Sequence, residues 1–150
     1  MAFNDLVAQK IKDFEQQGIP QVFERDLDLG NPQEPKRDNI VYVIVGARRC
    51  GKTYRLYQEI RRLQGQGVEL DRMLYFNFED ERLRPYEPSL LADVLDTFYA
   101  LYPAARGEGA YLFFDEIQEI PEWGAFLRLV VDTENATVYL TGSSSMMLSS

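Results

Sequence analysis

The stretch "IVYVIVGARRCGKTY", from Ile40 to Tyr54, joins a continuous apolar run to a glycine-containing turn. A run of β-branched residues without alternation is typical of a strand that is buried on both faces of a parallel sheet. After Thr53, apolar residues recur at helical spacing through Leu63. The sequence therefore predicts a strand, a tight turn and a helix in immediate succession.

The turn fits the phosphate-binding pattern G-x-x-x-x-G-K-[ST], in which each residue type has a mechanical role. Glycines allow several backbone N–H groups to converge on phosphate oxygens, and the helix that follows adds its positive N-terminal end. A lysine charge suits β- and γ-phosphates, and a threonine hydroxyl suits Mg²⁺. A basic turn without a ligand is the alternative. The predicted nucleotide-binding residues are Gly46, Ala47, Arg48, Arg49, Cys50, Gly51, Lys52, Thr53 and Tyr54.

Three further apolar runs predict strands: "RMLYFNF" (72–78), "AYLFFDE" (110–116) and "TVYLTGSSS" (137–145). Segments with helical spacing separate the runs, and alternating strands and helices predict an α/β fold with a parallel sheet and helices on both faces. We divide the chain into an N-terminal helix with its connecting segment (1–39) and an α/β core (40–150).

Two acids end the third predicted strand. The carboxyl ends of parallel strands gather at the edge of the sheet where ligands bind, so Asp115 is a candidate for holding Mg²⁺. Glu116 is a candidate general base that deprotonates a water for attack on a γ-phosphate. Two solvated acids at the end of a strand are the alternative.

Polar residues also end the other predicted strands. Thr141 or Ser143 is a candidate for contacting the γ-phosphate or the attacking water. An ordinary turn rich in glycine and serine is the alternative. The amide of Asn77 is a candidate for holding Glu116 if the second and third strands are neighbours; an ordinary turn asparagine is the alternative.

Composition excludes several kinds of site. The chain of 150 residues has one cysteine and no histidine, which excludes an internal disulfide, histidine catalysis and a zinc site. A net charge of −8 does not favour nucleic acid as a partner. The first residues lack the features of a signal peptide and no run of about 18 apolar residues occurs, so we predict a cytoplasmic protein without membrane association.

Five segments together resemble the predicted prokaryotic ATPases of the AAA+ superfamily: "ERDLDL", "VIVGARRCGKTYRLYQEI", "LYFNFEDERL", "LFFDEIQEIPEW" and "VYLTGSSSMMLS". The resemblance implies a P-loop NTPase three-layer sandwich with strand order 5-1-4-3-2. It also implies Glu116 as catalytic glutamate, the hydroxyl of the fourth strand as a sensor, and Asn77 as a switch that acts on Glu116. Family members continue with a fifth strand, a lid and a C-terminal domain, so we expect this chain to be an N-terminal fragment.

The resemblance implies a module that binds ATP and Mg²⁺, hydrolyses ATP and drives a conformational change in its own C-terminal domain or in a protein partner. A nucleotide-gated switch with little hydrolysis and a P-loop kinase are the alternatives. Without the fifth strand, the first strand has an open edge. We expect residues 21–27 or a second copy of the chain to cover that edge.

Overall fold

The computed structural model describes residues 3–17, 41–46 and 51–143. Helices and strands alternate along most of the chain, as the sequence predicts, and short 3₁₀ turns occupy 70–72, 81–83 and 117–119. The elements are α1 (Phe3–Gln17), β1 (Val41–Val45), α2 (Lys52–Gly65), β2 (Met73–Asn77), α3 (Ser89–Leu101), α4 (Ala104–Glu108), β3 (Ala110–Asp115), α5 (Trp123–Thr133) and β4 (Ala136–Gly142).

The four strands form one parallel sheet in the order β1-β4-β3-β2. The fourth strand lies between the first and the third, which confirms the predicted arrangement of these strands. The register places Ile44 opposite Thr141, and Asn77 opposite Asp115. Because all strands run in the same direction, their carboxyl ends meet at one edge of the sheet.

Helices cover both faces of the sheet and produce three layers. Along β3, Leu112 and Phe114 pack with α1, α3 and α5 on one face, whereas Tyr111 and Phe113 pack with α2 on the other. Every residue of β3 and β4 is buried. This double burial explains why the strands appear in the sequence as uninterrupted apolar runs.

Helix α1 packs against β2 and α3, and its residues Leu6, Val7 and Ile11 belong to the same core as those elements. Lys10 Nζ also contacts Asp80 Oδ2 at 2.9 Å, just beyond β2. The predicted division of the chain at residue 39 stays a prediction, and the connecting segment before that residue lies outside the described residues.

A buried polar contact fixes α2 to the sheet. The hydroxyl of Tyr139 on β4 donates to Glu59 Oε2 at 2.7 Å, and Arg62 donates to both oxygens of the same carboxylate at 2.8 and 2.7 Å. Burial, followed by the hydrogen bond to Glu59, raises the pKa of Tyr139, so its hydroxyl stays protonated. The middle of α2 is thereby held against β4 of the sheet.

Candidate active site

The predicted phosphate loop connects β1 to α2 at the carboxyl edge of the sheet. Gly46 directly follows β1, and Gly51 directly precedes α2 with φ at 93°, a left-handed conformation that favours glycine. Among the residues that the structure describes, no side chain caps the start of α2. The first N–H groups of the helix therefore suit an anion. Ala47, Arg48, Arg49 and Cys50 lie outside the described residues, and their contacts with nucleotide stay predictions.

Lys52 opens α2 and is almost fully buried. Its Nζ donates to the carbonyl oxygen of Gly46 at 3.1 Å and lies 3.5 Å from Oε1 of Glu116, and its side chain is only 4% exposed. The lysine charge is thus held between the end of β1 and the acid that follows β3. Tyr54, by contrast, is 48% exposed and faces Tyr57 edge-on.

Asp115, at the end of β3, is fully buried and accepts hydrogen bonds from three hydroxyl groups. Thr53 Oγ1 and the Tyr75 hydroxyl each donate to Oδ2 at 2.7 Å, and Thr141 Oγ1 donates to Oδ1 at 2.6 Å. A buried carboxylate is tolerated only when such donors satisfy it. Side chains from α2, β2 and β4 therefore converge on one acid.

The residues around Asp115 fit a magnesium ion. Mg²⁺ binds hard oxygen ligands and usually takes one or two from the protein, with waters and substrate phosphates supplying the rest. Thr53 Oγ1 and Asp115 Oδ2 supply two such oxygens side by side. The described part of the chain contains no group of three or more acidic, histidine or cysteine side chains that could hold a metal ion.

Glu116 adopts a left-handed backbone conformation, with φ 57° and ψ 48°. This conformation costs a non-glycine residue about 1–2 kcal/mol, and such outliers concentrate at functional sites. The backbone N–H donates to Thr141 Oγ1 at 2.9 Å, while Oε1 accepts from Gln118 Nε2 at 3.1 Å and faces Lys52. The backbone turn therefore aims the carboxylate towards the lysine.

The two candidates at the end of β4 differ in their contacts. Thr141 is buried and contacts both acids, accepting from Glu116 N and donating to Asp115. Ser143 lies one residue beyond β4 and is half-buried. Within the described residues, Thr141 is the hydroxyl that connects Asp115 with Glu116.

Asn77 was predicted to lie next to Glu116; it ends β2 opposite Asp115, the residue before Glu116, and uses its side chain locally. Its Oδ1 accepts from the backbone N–H of Glu79 at 2.9 Å. Across the described ranges no hydrogen bond joins Asn77 to Glu116, and the amide that contacts this carboxylate belongs to Gln118. A switch formed by Asn77 stays a prediction.

Sequence analysis missed Tyr75 and Gln118. Tyr75 is a tyrosine within an apolar strand, and the need of a buried hydroxyl for a partner is the signal that points to it. Burial, followed by the negative charge of Asp115, raises the pKa of Tyr75 well above its ordinary value. The hydroxyl consequently remains a donor to Asp115 at neutral pH.

Comparison with known proteins agrees with this geometry. A family model described as AAA domain matches residues 38–150, most of the chain. The chain belongs to the AAA domain family. Membership supports a nucleotide-binding, ATPase-like module with a P-loop. Among the described residues, no helix of this AAA domain combines the length and apolar content needed to cross a membrane.

The AAA domain is also similar to longer proteins. An uncharacterised protein of Methanocaldococcus jannaschii is 38% identical over 111 residues, which cover 74% of this chain and 23% of the relative. An uncharacterised protein of Haemophilus influenzae is 31% identical over 117 residues, covering 76% and 28%. A second protein of M. jannaschii is 30% identical over 107 residues, covering 71% and 22%. The chain thus spans about a quarter of the length of these relatives.

Tyr75→Phe tests the hydroxyl cluster of this AAA domain. The substitution removes one of three donors to a fully buried carboxylate, so we expect the free energy of unfolding to fall by about 1–3 kcal/mol in urea titrations. Tyr86→Phe is the matched control, because its hydroxyl makes a long 3.3 Å contact with a backbone carbonyl, that of Asp80, instead of with a buried carboxylate. Equal stability of Tyr75→Phe and wild type would contradict the assigned hydrogen bond.

Proposed function

We propose that this AAA domain binds ATP with Mg²⁺ and hydrolyses the bond to the γ-phosphate. One observation carries the proposal: Lys52 Nζ lies 3.5 Å from the carboxylate of Glu116, beside a Thr53–Asp115 oxygen pair separated by 2.7 Å. A cation for phosphate, a pair of oxygens for Mg²⁺ and a carboxylate base thus occur together at the end of the phosphate loop.

Binding rests on the first turn of α2. Its N–H groups and the charge of Lys52 suit the β- and γ-phosphates, and Lys52 is already oriented by its hydrogen bond to Gly46. Thr53 and Asp115 would hold Mg²⁺, which when bound neutralises charge on the phosphate oxygens. We infer that Gly46–Tyr54 is the nucleotide-binding segment.

Hydrolysis requires a base beside the γ-phosphate. The carboxylate of Glu116 accepts a proton from a water whose oxygen forms a bond to the γ-phosphorus, while the bond from that phosphorus to the bridging oxygen breaks. ADP and inorganic phosphate result, and Glu116 then returns its proton to solvent. Lys52 stabilises the negative charge that moves onto the phosphate oxygens, and Thr141 holds the backbone of Glu116 in place.

The length of the relatives supports a further part of this proposal. Because the chain spans only 22–28% of those proteins, we infer that hydrolysis drives a conformational change in regions outside this domain or in a bound protein partner. Which region or partner undergoes this conformational change depends on the whole protein.

A nucleotide-gated switch with little hydrolysis is the second candidate. It is favoured by the 3.5 Å ion pair between Lys52 and Glu116, because this pair engages both the proposed phosphate cation and the proposed base. Single-turnover hydrolysis of radiolabelled ATP, with excess full-length protein and Mg²⁺, separates the two candidates. We expect release of labelled phosphate; tight binding of ATP without release would establish the switch and contradict the proposed hydrolysis.

The exposed edge of β1 supports self-association. Val43 and Val45 are 53% and 50% exposed, and β4 pairs with only one side of β1. In the described ranges no strand pairs with the other side, while 21–27, the predicted cover, lies outside them. An apolar strand edge of this kind favours pairing with a second copy of the chain.

Val43→Lys tests self-association of the 150-residue chain, because a lysine on an edge strand opposes pairing. We expect light scattering across a concentration series to show dimers for wild type and monomers for Val43→Lys. Leu129→Lys is the matched control, since Leu129 is similarly exposed, at 58%, but belongs to helix α5 and not to an edge strand. A wild-type chain that stays monomeric at every concentration, or an equal effect of Leu129→Lys, would contradict pairing through β1.

A further inference from the structure

Gln118 lies in the 3₁₀ turn directly after β3 and contacts the proposed base. Its Nε2 donates to Oε1 of Glu116 at 3.1 Å. An ionised carboxylate only accepts hydrogen bonds, so the NH₂ group of the amide must be the group that faces Glu116. The contact is therefore directional: Gln118 donates and Glu116 accepts.

The oxygen of the same amide lies in an unfavourable environment. Oε1 of Gln118 is buried and meets no hydrogen-bond donor in the part of the chain that the structure describes. Buried polar atoms without partners are rare in folded proteins and require an explanation. The contact with Glu116 provides one, because it is the favourable interaction that keeps the amide in this position.

Gln118 and Lys52 act on the same oxygen of Glu116. Nε2 of Gln118 lies 3.1 Å from Oε1 and Nζ of Lys52 lies 3.5 Å from it, whereas no described residue donates a hydrogen bond to Oε2. Fixing one carboxylate oxygen limits the rotation of the whole group. Oε2 is thereby left as the oxygen that can face a water molecule.

We propose that Gln118 is a positioning residue that fixes Oε1 of Glu116, so that Oε2 takes the proton of the attacking water. This inference rests on the proposed ATP hydrolysis. Without Gln118, the 3.5 Å contact with Lys52 is the remaining one on Oε1, and the carboxylate is free to rotate about it. Small displacements of a catalytic group lower rates strongly, by up to about 100-fold for 1 Å.

Gln118→Met tests the proposal, because methionine has a similar length and no amide. In full-length protein with saturating ATP and Mg²⁺, we expect the single-turnover rate to fall about tenfold, with the dissociation constant of ATP unchanged. Combined with Glu116→Gln, the substitution should cause no further loss, since Gln118 acts only through Glu116. Gln64→Met, at an exposed position near the end of α2, is the matched control and should retain the wild-type rate.

Additive losses in the double variant would overturn the positioning role, because a structural defect acts regardless of residue 116. If Gln118→Met does not fold, Gln118→Glu serves the same purpose: it keeps the shape and replaces the donor with a group that repels Glu116. A wild-type rate in a folded Gln118→Met or Gln118→Glu variant would equally overturn the proposal.

A second measurement is independent of hydrolysis. In nitrogen-15 NMR spectra, we expect the side-chain amide signals of Gln118 to shift on Glu116→Ala, while those of Gln64 stay constant. Unchanged Gln118 signals would overturn the contact and with it the inference, whatever the rate of hydrolysis. A wild-type protein that does not hydrolyse ATP would instead overturn the proposed function together with the positioning role, and the NMR result would distinguish the two failures.

Discussion

Replacement of Glu116 by glutamine is expected to preserve ATP binding and to lower single-turnover hydrolysis by about 10²–10⁴-fold, the usual effect of losing a general base. The amide has the shape of the carboxylate but cannot accept the proton of the attacking water. Binding persists because the cation of Lys52, now 3.5 Å from a neutral group instead of an acid, remains available to the phosphates.

The control for Glu116→Gln removes the same charge elsewhere. Glu108 is exposed and precedes β3, at the opposite edge of the sheet from Glu116, so Glu108→Gln should hydrolyse ATP at the wild-type rate. Full activity of Glu116→Gln in a quenched-flow measurement would mean that another group takes the proton. A loss of ATP affinity together with activity would assign Glu116 to binding instead.

Lys52→Ala is expected to weaken binding of ATP and of ADP by about 10- to 100-fold, because a charged hydrogen bond contributes about 1.5–3 kcal/mol. The lysine is buried and hydrogen-bonded to Gly46, so its side chain is already ordered before phosphate arrives. Isothermal titration calorimetry in the presence of Mg²⁺ measures both affinities directly.

Lys12→Ala provides the comparison, since Lys12 is an exposed lysine on α1. The control removes the same net charge and should leave the affinity unchanged. Thermal unfolding of both variants without nucleotide identifies any loss of folded protein. Equal affinity of folded Lys52→Ala and wild type would exclude Gly46–Tyr54 as the phosphate site.

The strands could be predicted from the apolar runs and their order from the resemblance to AAA+ ATPases, because both concern the backbone. Asp115, Glu116 and the pair Thr141 or Ser143 could be named as candidates because they stand at or near the ends of such runs. The contact between Tyr75 and Asp115 could not be predicted, since it depends on the packing of one face of β2 against α2. The sequence of a strand shows which side chains lie on the same face of the sheet, but it does not show which residues each side chain contacts.

The contact between Gln118 and Glu116 escaped prediction for a different reason. It depends on the left-handed backbone at Glu116, which glutamate rarely adopts. Asn77 was the residue that the strand order indicated, yet its side chain turns back to Glu79. Helix α1 was expected from its periodicity, but periodicity alone does not show that the helix packs against β2 and α3.

Thr141 has one hydroxyl proton, and that proton is directed to Asp115, so its oxygen is the acceptor for the backbone of Glu116. The two acids have separate tasks in the proposed reaction, yet neither can be displaced without disturbing this hydroxyl. A displacement of the end of β4 by the length of one hydrogen bond would break the contacts of Thr141 with both Asp115 and Glu116. Control of this domain through β4 would consequently be all-or-none and not graded, because both acids lose the same hydroxyl at once.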